Sequence, residues 1–505
     1  MAISPEFIDD NPRFKTLISK LHREGKRKKR VRHRIELMHE DQQKQAECGI
    51  VQQQTSSFSE TAERSDLSKT LTRARSCYIC KKPYRELHFY YHQLCPDCAG
   101  LNWMKRNQRT DLTGYRAFLT GGRIKIGFET ALKLLRDGAE VDITTRFPAD
   151  AAQRYEQIDD VDEWRDRLHI HALDLRDLPA LEEFLSKYTQ YNSTLDIIIN
   201  NAAQTIKRPL AFYQHLLQER QLSSKAVAML ADYDASKVVL WEAENRKQSL
   251  LPGEESYFPL NQYDQYGQQF DLRPMNSWRQ QLGDIDAVEM LEVYLVNAAA
   301  PFMINNRLKK LMIDSRKHRK FIVNVSAMEG QFNRQNKTSH HPHTNMAKAA
   351  LNMMTRTCAD DLRQVGVYIN SVDTGWITDE KPHPDAQRVQ HQDGFYPPLD
   401  VIDGAARIYD PIVSGLMPDT KPLLVTSSRI ISLIRGEYYF ERNERTDPET
   451  RLWLFSRLKI KVQYDPSEGF RTTNYEQGEF QSDSLSCAGH SRSRSLSGRG
   501  SAATR

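Results

Sequence analysis

The stretch "YRAFLTGGRIKIGFETALKLLRDGA", Tyr115 to Ala139, decides the fold. Six residues suited to a strand run into a glycine turn, and an amphipathic helix follows at once. A glycine turn at such a junction lets the backbone come close to a pyrophosphate, which the helix N-terminus stabilises with its free N–H groups. The pattern then repeats. "EVDITT", "LHIHAL", "LDIII", "KFIVNVS" and "VYINSV" read as strands, separated by helical segments such as "NMAKAALNMMTRTCADDLRQ". Short apolar strands alternating with helices predict βαβ units and an α/β fold, a doubly wound parallel sheet.

Ahead of this region, "CYICKKPYRELHFYYHQLCPDC" places Cys77 and Cys80, then Cys95 and Cys98, in two C-x2-C pairs. Two residues between thiolates let both sulfurs face one ion, and two such knuckles complete a tetrahedral S4 site for Zn2+. Four thiolates leave no open position for a catalytic water, so the reading is a structural zinc module over 76–110. Tyr84, Leu87, Phe89, Tyr90 and Tyr91 between the knuckles supply a small core. The module is expected to pack on the main domain or to dock a protein partner.

The 505 residues are enough for two or three domains. Residues 1–75 carry the basic run "GKRKKRVRHR" from Gly25 to Arg34 and little apolar surface, and 476–505 are Ser/Arg-rich. Both are expected to be disordered, because too little apolar area is available to offset ordering entropy. The net charge of +5 is small for the length, which argues against a nucleic-acid partner beyond the basic run. Early acids in "MAISPEFIDDNPRF" argue against a secretory signal. No apolar run approaches the roughly 18 residues of a membrane span. The expected location is cytoplasmic, with the run 25–34 as a route to the nucleus.

Across 113–415 the chain resembles the short-chain dehydrogenase/reductase family, with an insertion at about 206–290. "TGGRIKIG" is similar to that family's TGxxxGxG loop: Thr120, Gly121 and Gly127 match, with Lys125 where the middle glycine is expected. Asp174 in "LDL" and "NNAA" at Asn200 to Ala203 match further family motifs. So do Asn297, Ser326 and Lys348 of the Asn-Ser-Tyr-Lys tetrad, and "DTGWIT" from Asp373 to Thr378. The resemblance implies a Rossmann fold and a cofactor site. Its residues would be Thr120, Gly121, Gly122, Arg123, Lys125, Ile126, Gly127, Arg146, Asp174, Leu175, Asn201, Ala202, Ala203, Lys348, Thr374, Gly375 and Thr378.

The second strand, "EVDITTRF", ends at Thr145 and Arg146 with no acid to repel a 2'-phosphate, and Arg123 and Lys125 add positive charge. NADP(H) is therefore expected ahead of NAD(H).

The tetrad's tyrosine is replaced by Thr344, four residues before Lys348. A threonine hydroxyl is too weak an acid to replace it, whereas a histidine of "HHPH", His341 or His343, titrates near neutrality. The expected catalytic set is Asn297, Ser326, Lys348, Thr344 and His343. The activity would be hydride transfer between NADP(H) and a carbonyl or hydroxyl small molecule. The alternative is a non-catalytic, dinucleotide-binding and zinc-bearing scaffold or redox sensor.

The insertion offers two helix-like segments, from Pro209 to Gln248 and from Ser277 to Tyr294. Lying after the fourth strand of the domain, it is expected to form a lid or a homo-oligomer contact. Residues 416–475 do not follow the family's usual ending.

Overall fold

The computed structural model describes residues 12–55, 69–218, 220–231, 254–332, 337–417, 462–465 and 469–472. Clustering of backbone contacts divides the chain into one unit ending at Tyr438 and a second beginning at Tyr439.

Six strands build the sheet of the first unit: β3 (Arg116–Thr120), β4 (Glu140–Thr145), β5 (Leu168–Ala172), β6 (Ile197–Asn200), β7 (Lys320–Ser326) and β8 (Val367–Asp373). Their order is β5-β4-β3-β6-β7-β8, and every neighbouring pair is parallel. This is the doubly wound order. The chain reverses direction across the sheet between β3 and β6, opening a crevice at the strands' carboxyl ends. Both faces are covered, so the strands read as near-continuous apolar runs. Leu119, Ile143, Ile199 and Val323 face one buried cluster, while Phe118, Ile198, Ile322 and Ile369 face the other.

The stretch Ala287–Asp314 is the one helix among the described residues long and apolar enough to cross a membrane by length and composition. The expectation of no such run missed it. Ile304, Leu308 and Met312 of this helix are buried against the sheet with Phe118 and Ile198.

The N-terminal region differs from the disorder expected over 1–75. Pro12–Ala46 and Gly49–Thr55 are helices, and Thr70–Ser76 is a strand, β1. Composition misled because the first helix is held by few, specific contacts. Asp41 accepts backbone N–H groups of Thr72 (2.6 Å) and Arg73 (3.1 Å), and Gln45 Nε2 donates to His92 O at 2.9 Å. β1 pairs antiparallel with β2 (Pro83–Glu86), so the cysteine module begins before residue 76.

Of the two long helices expected in the insertion, the described residues hold only short pieces. Gln214–Leu217 and Ser224–Ala228 are single turns, and Ala287–Tyr294 starts late because Asp286 caps it through Val288 N at 2.7 Å. Residues 232–253 lie outside the described residues. Around Met229 the insertion borders β5: Ile170 N donates to Met229 O and Ala231 N to Ile170 O. An edge strand covered in this way offers fewer free backbone groups.

In the second unit, β9 (Val462–Asp465) and β10 (Gly469–Thr472) form an antiparallel pair. The rest of 416–475 beyond Met417, with the 476–505 tail, lies outside the described residues.

Candidate active site and cysteine cluster

The turn after β3 is shaped by three close approaches. Gly121 has φ +74°, and a Cβ there would meet Ala202 Cα at 3.0 Å. At Gly122 it would meet Ile143 Cβ at 2.7 Å, and at Gly127 the carbonyl oxygen of Gly121 at 2.1 Å. Side chains lock the turn to β6: Asn201 Nδ2 donates to Thr120 O and Gly121 O, each at 3.1 Å, and Ala202 N donates to Thr120 Oγ1 at 3.0 Å. Lys125, where a glycine was expected, has φ +55°. It adopts the left-handed backbone at a cost of about 1–2 kcal/mol. Its ammonium lies 5.3 Å from the centre of the Tyr266 ring. Burial pushes the Glu380 carboxyl up, but the Lys125 charge and the Thr378 hydroxyl outweigh that and lower it.

The two expected arginines have different fates. Arg123 is buried and donates to Asp150 at 2.6 Å, so its charge is already answered. Arg146, at the end of β4, donates Nη2 to the Tyr213 hydroxyl at 3.0 Å and lies 4.9 Å from that ring's centre. Among the described residues no carboxylate forms a salt bridge with it. Tyr213 belongs to the insertion.

Asp174 is held by Arg176, whose Nη2 donates to it at 2.5 Å, and Leu175 is buried in the core. Ile126 packs on Ile377 and on the helix Val401–Leu416 at Gly404. Ala203 is exposed at the crevice. Gly375, with φ +82°, turns the loop after β8 against Leu399 and Arg407; Thr374 is half-buried, and the Thr378 hydroxyl donates to Glu380 at 2.6 Å.

The expected catalytic residues come from three elements. Asn297 lies in a π-helical turn, Leu295–Ala299, and both side-chain polar atoms bind the Gln204 backbone: Oδ1 accepts from Gln204 N at 2.8 Å and Nδ2 donates to Gln204 O at 2.9 Å. Such π turns are frequent at functional sites. Ser326 ends β7. Thr344 and Lys348 are one turn apart on the helix Pro342–Gln364, so they share a face. This helix starts earlier than the apolar spacing suggests, because Pro342 opens it after the left-handed His341. Lys348 Nζ is buried, donates to Val325 O at 2.8 Å beside Ser326, and has its pKa lowered to about 8 by burial.

Among the described residues, four buried polar atoms in this corner have no hydrogen-bond partner: Ser326 Oγ, Thr344 Oγ1 and both ring nitrogens of His343. Buried polar groups are nearly always paired, so such a concentration marks a place where a substrate can supply the partners. His343 Nε2 lies 3.6 Å from Glu289 Oε1. Burial raises the Glu289 pKa, but His343, Ser277 and Lys207 outweigh it and hold the carboxyl low. Glu289 and Ser277 were not singled out in the sequence, because only the fold brings Ala287–Tyr294 against the start of Pro342–Gln364. The other two histidines are committed elsewhere. His341 stacks on Trp278 with ring centres 4.0 Å apart, and His340 Nδ1 lies 2.9 Å from Arg279 O. These contacts join the insertion to the start of the helix Pro342–Gln364. Gln280 O accepts from His341 N at 2.7 Å, and Asn276 Nδ2 donates to Glu380 O at 2.9 Å.

The sulfur atoms of Cys77, Cys80, Cys95 and Cys98 lie within 4.8 Å of one another, with Cys80 Sγ 3.6 Å from Cys95 Sγ. A tetrahedral ion with bonds of about 2.3 Å needs sulfurs roughly 3.8 Å apart, so the set fits one ion. The module packs on the main domain. Tyr91, Leu94 and Ala99 share a buried cluster with Ile377 and Leu399, Tyr90 Oη donates to Asp400 at 2.5 Å, and Arg106 Nη1 reaches Asp400 Oδ1 at 2.6 Å.

With this geometry in place, comparison with known proteins identifies the class. Residues 116–239 and 275–385 match the sequence model of the short chain dehydrogenase family. An uncharacterized protein of Acanthamoeba polyphaga mimivirus is 31% identical over 352 residues, covering 68% of this chain and 72% of that protein. A probable oxidoreductase of Streptomyces lividans is 38% identical over 92 residues, 18% of this chain and 29% of that protein. A short chain dehydrogenase from Burkholderia cenocepacia J2315, solved in complex with NADP, gives a TM-score of 0.39 at 19% identity, covering 60% of this chain and 92% of that one. A likeness of that degree carries nothing about the cofactor. The chain belongs to the short-chain dehydrogenase/reductase family, with a Rossmann-like parallel sheet.

Proposed function

We propose that this protein is an NADP(H)-dependent oxidoreductase that interconverts a carbonyl and its alcohol, with a histidine in the role its relatives give to tyrosine. The observation that carries this reading is the set of unpartnered buried groups, Ser326 Oγ, Thr344 Oγ1 and the His343 ring, on the strand and helix that also hold Lys348.

Thr120, Gly121, Gly122 and Gly127 shape the pyrophosphate cradle, and Asn201, Ala202 and Ala203 form its far wall. Arg146 receives the 2'-phosphate: no ion pair of it is among those of the described residues, Asp174 acts on its charge without bridging it, and its guanidinium can bind phosphate in bidentate fashion. When bound, the nicotinamide supplies or accepts the hydride. Ser326 donates a hydrogen bond to the substrate oxygen. His343, with Glu289 beside Nε2, gives that oxygen a proton in reduction and takes it back in oxidation. Lys348 binds the ribose, and Asn297 fixes the Gln204 backbone at the rim. Thr344 lacks the acidity to transfer the proton and positions substrate instead. Thr374, Gly375 and Thr378 close the nicotinamide side. Cys77, Cys80, Cys95 and Cys98 hold a structural zinc that completes the module's core.

The experiment is NADPH oxidation against a panel of aldehydes, ketones and quinones, comparing the wild type with His343→Gln and Thr344→Tyr. Turnover by the wild type that His343→Gln removes supports the proposal. The threonine at the tyrosine position favours the second reading, a dinucleotide-binding scaffold. Turnover confined to Thr344→Tyr would establish that reading.

A further inference from the structure

A cavity of 320 Å³ lies between the cysteine module, the end of the helix Pro12–Ala46 and the loop after β8. Its wall includes Gln45, Arg75, His92, Gln93, Trp376 and Phe395. None of these belongs to the cradle, to the Ser326 corner or to the thiol cluster. The volume is at the lower end for small-molecule sites.

Two of the polar groups in the wall, Arg75 and His92, offer donors, beside the amides of Gln45 and Gln93, which carry both a donor and an acceptor. Arg75, on β1, is half-buried and has no carboxylate within salt-bridge distance among the described residues. His92 is 3% exposed, and its Nδ1 has no hydrogen-bond partner. The protonation of this ring follows from its neighbours. Gln93 Nε2 donates to Tyr396 O at 3.0 Å, which identifies it as the amide nitrogen, and it also lies 3.0 Å from His92 Nε2. An amide nitrogen only donates, so His92 Nε2 accepts. The single proton of the neutral imidazole is then on Nδ1, and no side chain among the described residues accepts it, while the Tyr396 carbonyl also acts on the ring. A second cation, Lys381, also lines the cavity and is shared with Asp379 at 3.2 Å.

The remaining wall is aromatic. Trp376 and Phe395 have ring centres 4.7 Å apart at 41°. Trp376 is 41% exposed, although its backbone N–H donates to the Tyr78 hydroxyl at 3.0 Å. An unanswered guanidinium, a buried N–H donor and a flat apolar wall describe one chemistry: a planar ring bearing a carboxylate.

We propose that this cavity is a binding site for a small aromatic carboxylate, held by Arg75 and the Nδ1–H of His92 with its ring against Trp376 and Phe395. The site is separate from the dinucleotide crevice but adjoins it, because Trp376 follows Thr374 and Gly375 in the same loop. Its ligand is thereby placed to communicate with the reaction centre without entering it.

The main titrations use the full chain without NADPH, so they stand apart from the oxidoreductase reading, and one is then repeated with NADPH added. Benzoate, 2-naphthoate and indole-3-carboxylate are titrated by calorimetry and saturation-transfer NMR beside their carboxamides, at up to about 10 mM. The expected result is saturable binding of at least one acid and of none of the amides. Arg75→Gln weakens it by about tenfold or more, Arg75→Lys restores part of the loss, and binding persists at saturating NADPH. Unchanged thermal melting of both variants shows that the fold is intact. No saturable binding of any acid, equal binding of the amides, or displacement by NADPH would overturn the proposal.

Discussion

The cofactor side of the crevice and the corner beside it are built on opposite principles. In the turn after β3 every approach is already answered: Asn201 satisfies two carbonyls, Thr120 receives Ala202 N, and Gly127 leaves no room for a Cβ. A few residues away, Ser326 Oγ, Thr344 Oγ1 and the His343 ring are buried without a hydrogen-bond partner among the described residues, the ring with Glu289 at 3.6 Å. The first arrangement is finished before any ligand arrives, as a rigid cradle should be. The second leaves polar groups unpaired by the described protein, and a buried polar group left without any partner costs about 1–3 kcal/mol. On the proposed reading the difference separates binding from chemistry: one side is fixed in shape, and the other would keep its hydrogen-bonding capacity for a substrate.

The largest expected effect breaks the comparison at its chemical end. His343→Gln should lower turnover about 10³-fold with little change in NADPH affinity, since general acid–base groups contribute 10²–10⁴-fold. The pH profile of kcat should flatten with it. A loss below about tenfold would remove His343 from the reaction.

The second prediction concerns Lys348, whose folded pKa of about 8 lies below its ordinary 10.5. Between those values the unfolded chain holds more protons, so stability of the cofactor-free protein should rise with pH across that window. The rise should approach about 3 kcal/mol from this group, and it should be absent in Lys348→Met. Denaturant unfolding from pH 7.5 to 10.5 measures it.

A third sharpens the contrast at the cysteine module, which is tied to the same domain through Tyr90, Asp400 and Arg106. Cys77→Ser should cost about 2–3 kcal/mol and lower the bound zinc, read by thermal melting and metal analysis. The smallest effect belongs to Thr344→Val. It should change turnover by no more than about fivefold if, as proposed, the group it removes positions substrate and moves no proton.

Much of this architecture was legible in the residues. The strands β3 to β8 announced themselves as short apolar runs between helices, and the glycine turn fixed their connection. The thiol cluster followed from spacing alone. What stayed hidden depends on contacts distant in sequence. Pro12–Ala46 is polar along most of its length, so composition suggested disorder until Asp41 and Gln45 were seen gripping the cysteine module. The insertion has helical spacing but uses it for single turns and for contacts with His340 and His341. Arg123 looked like a phosphate ligand, and only the packing of Asp150 shows its charge to be taken. Glu289 carries no motif, and its place beside His343 exists only in the folded chain.

The central claim is that the crevice binds NADP(H), and calorimetric titration of the full chain with NADPH and NADH tests it most directly. Arg146, just past β4 and hydrogen-bonded to the Tyr213 hydroxyl rather than to a carboxylate, predicts NADPH binding tighter than NADH by about tenfold or more. Arg146→Gln should erase the difference while leaving NADH affinity nearly unchanged. Equal affinities in the wild type, or binding of neither cofactor, would contradict the account.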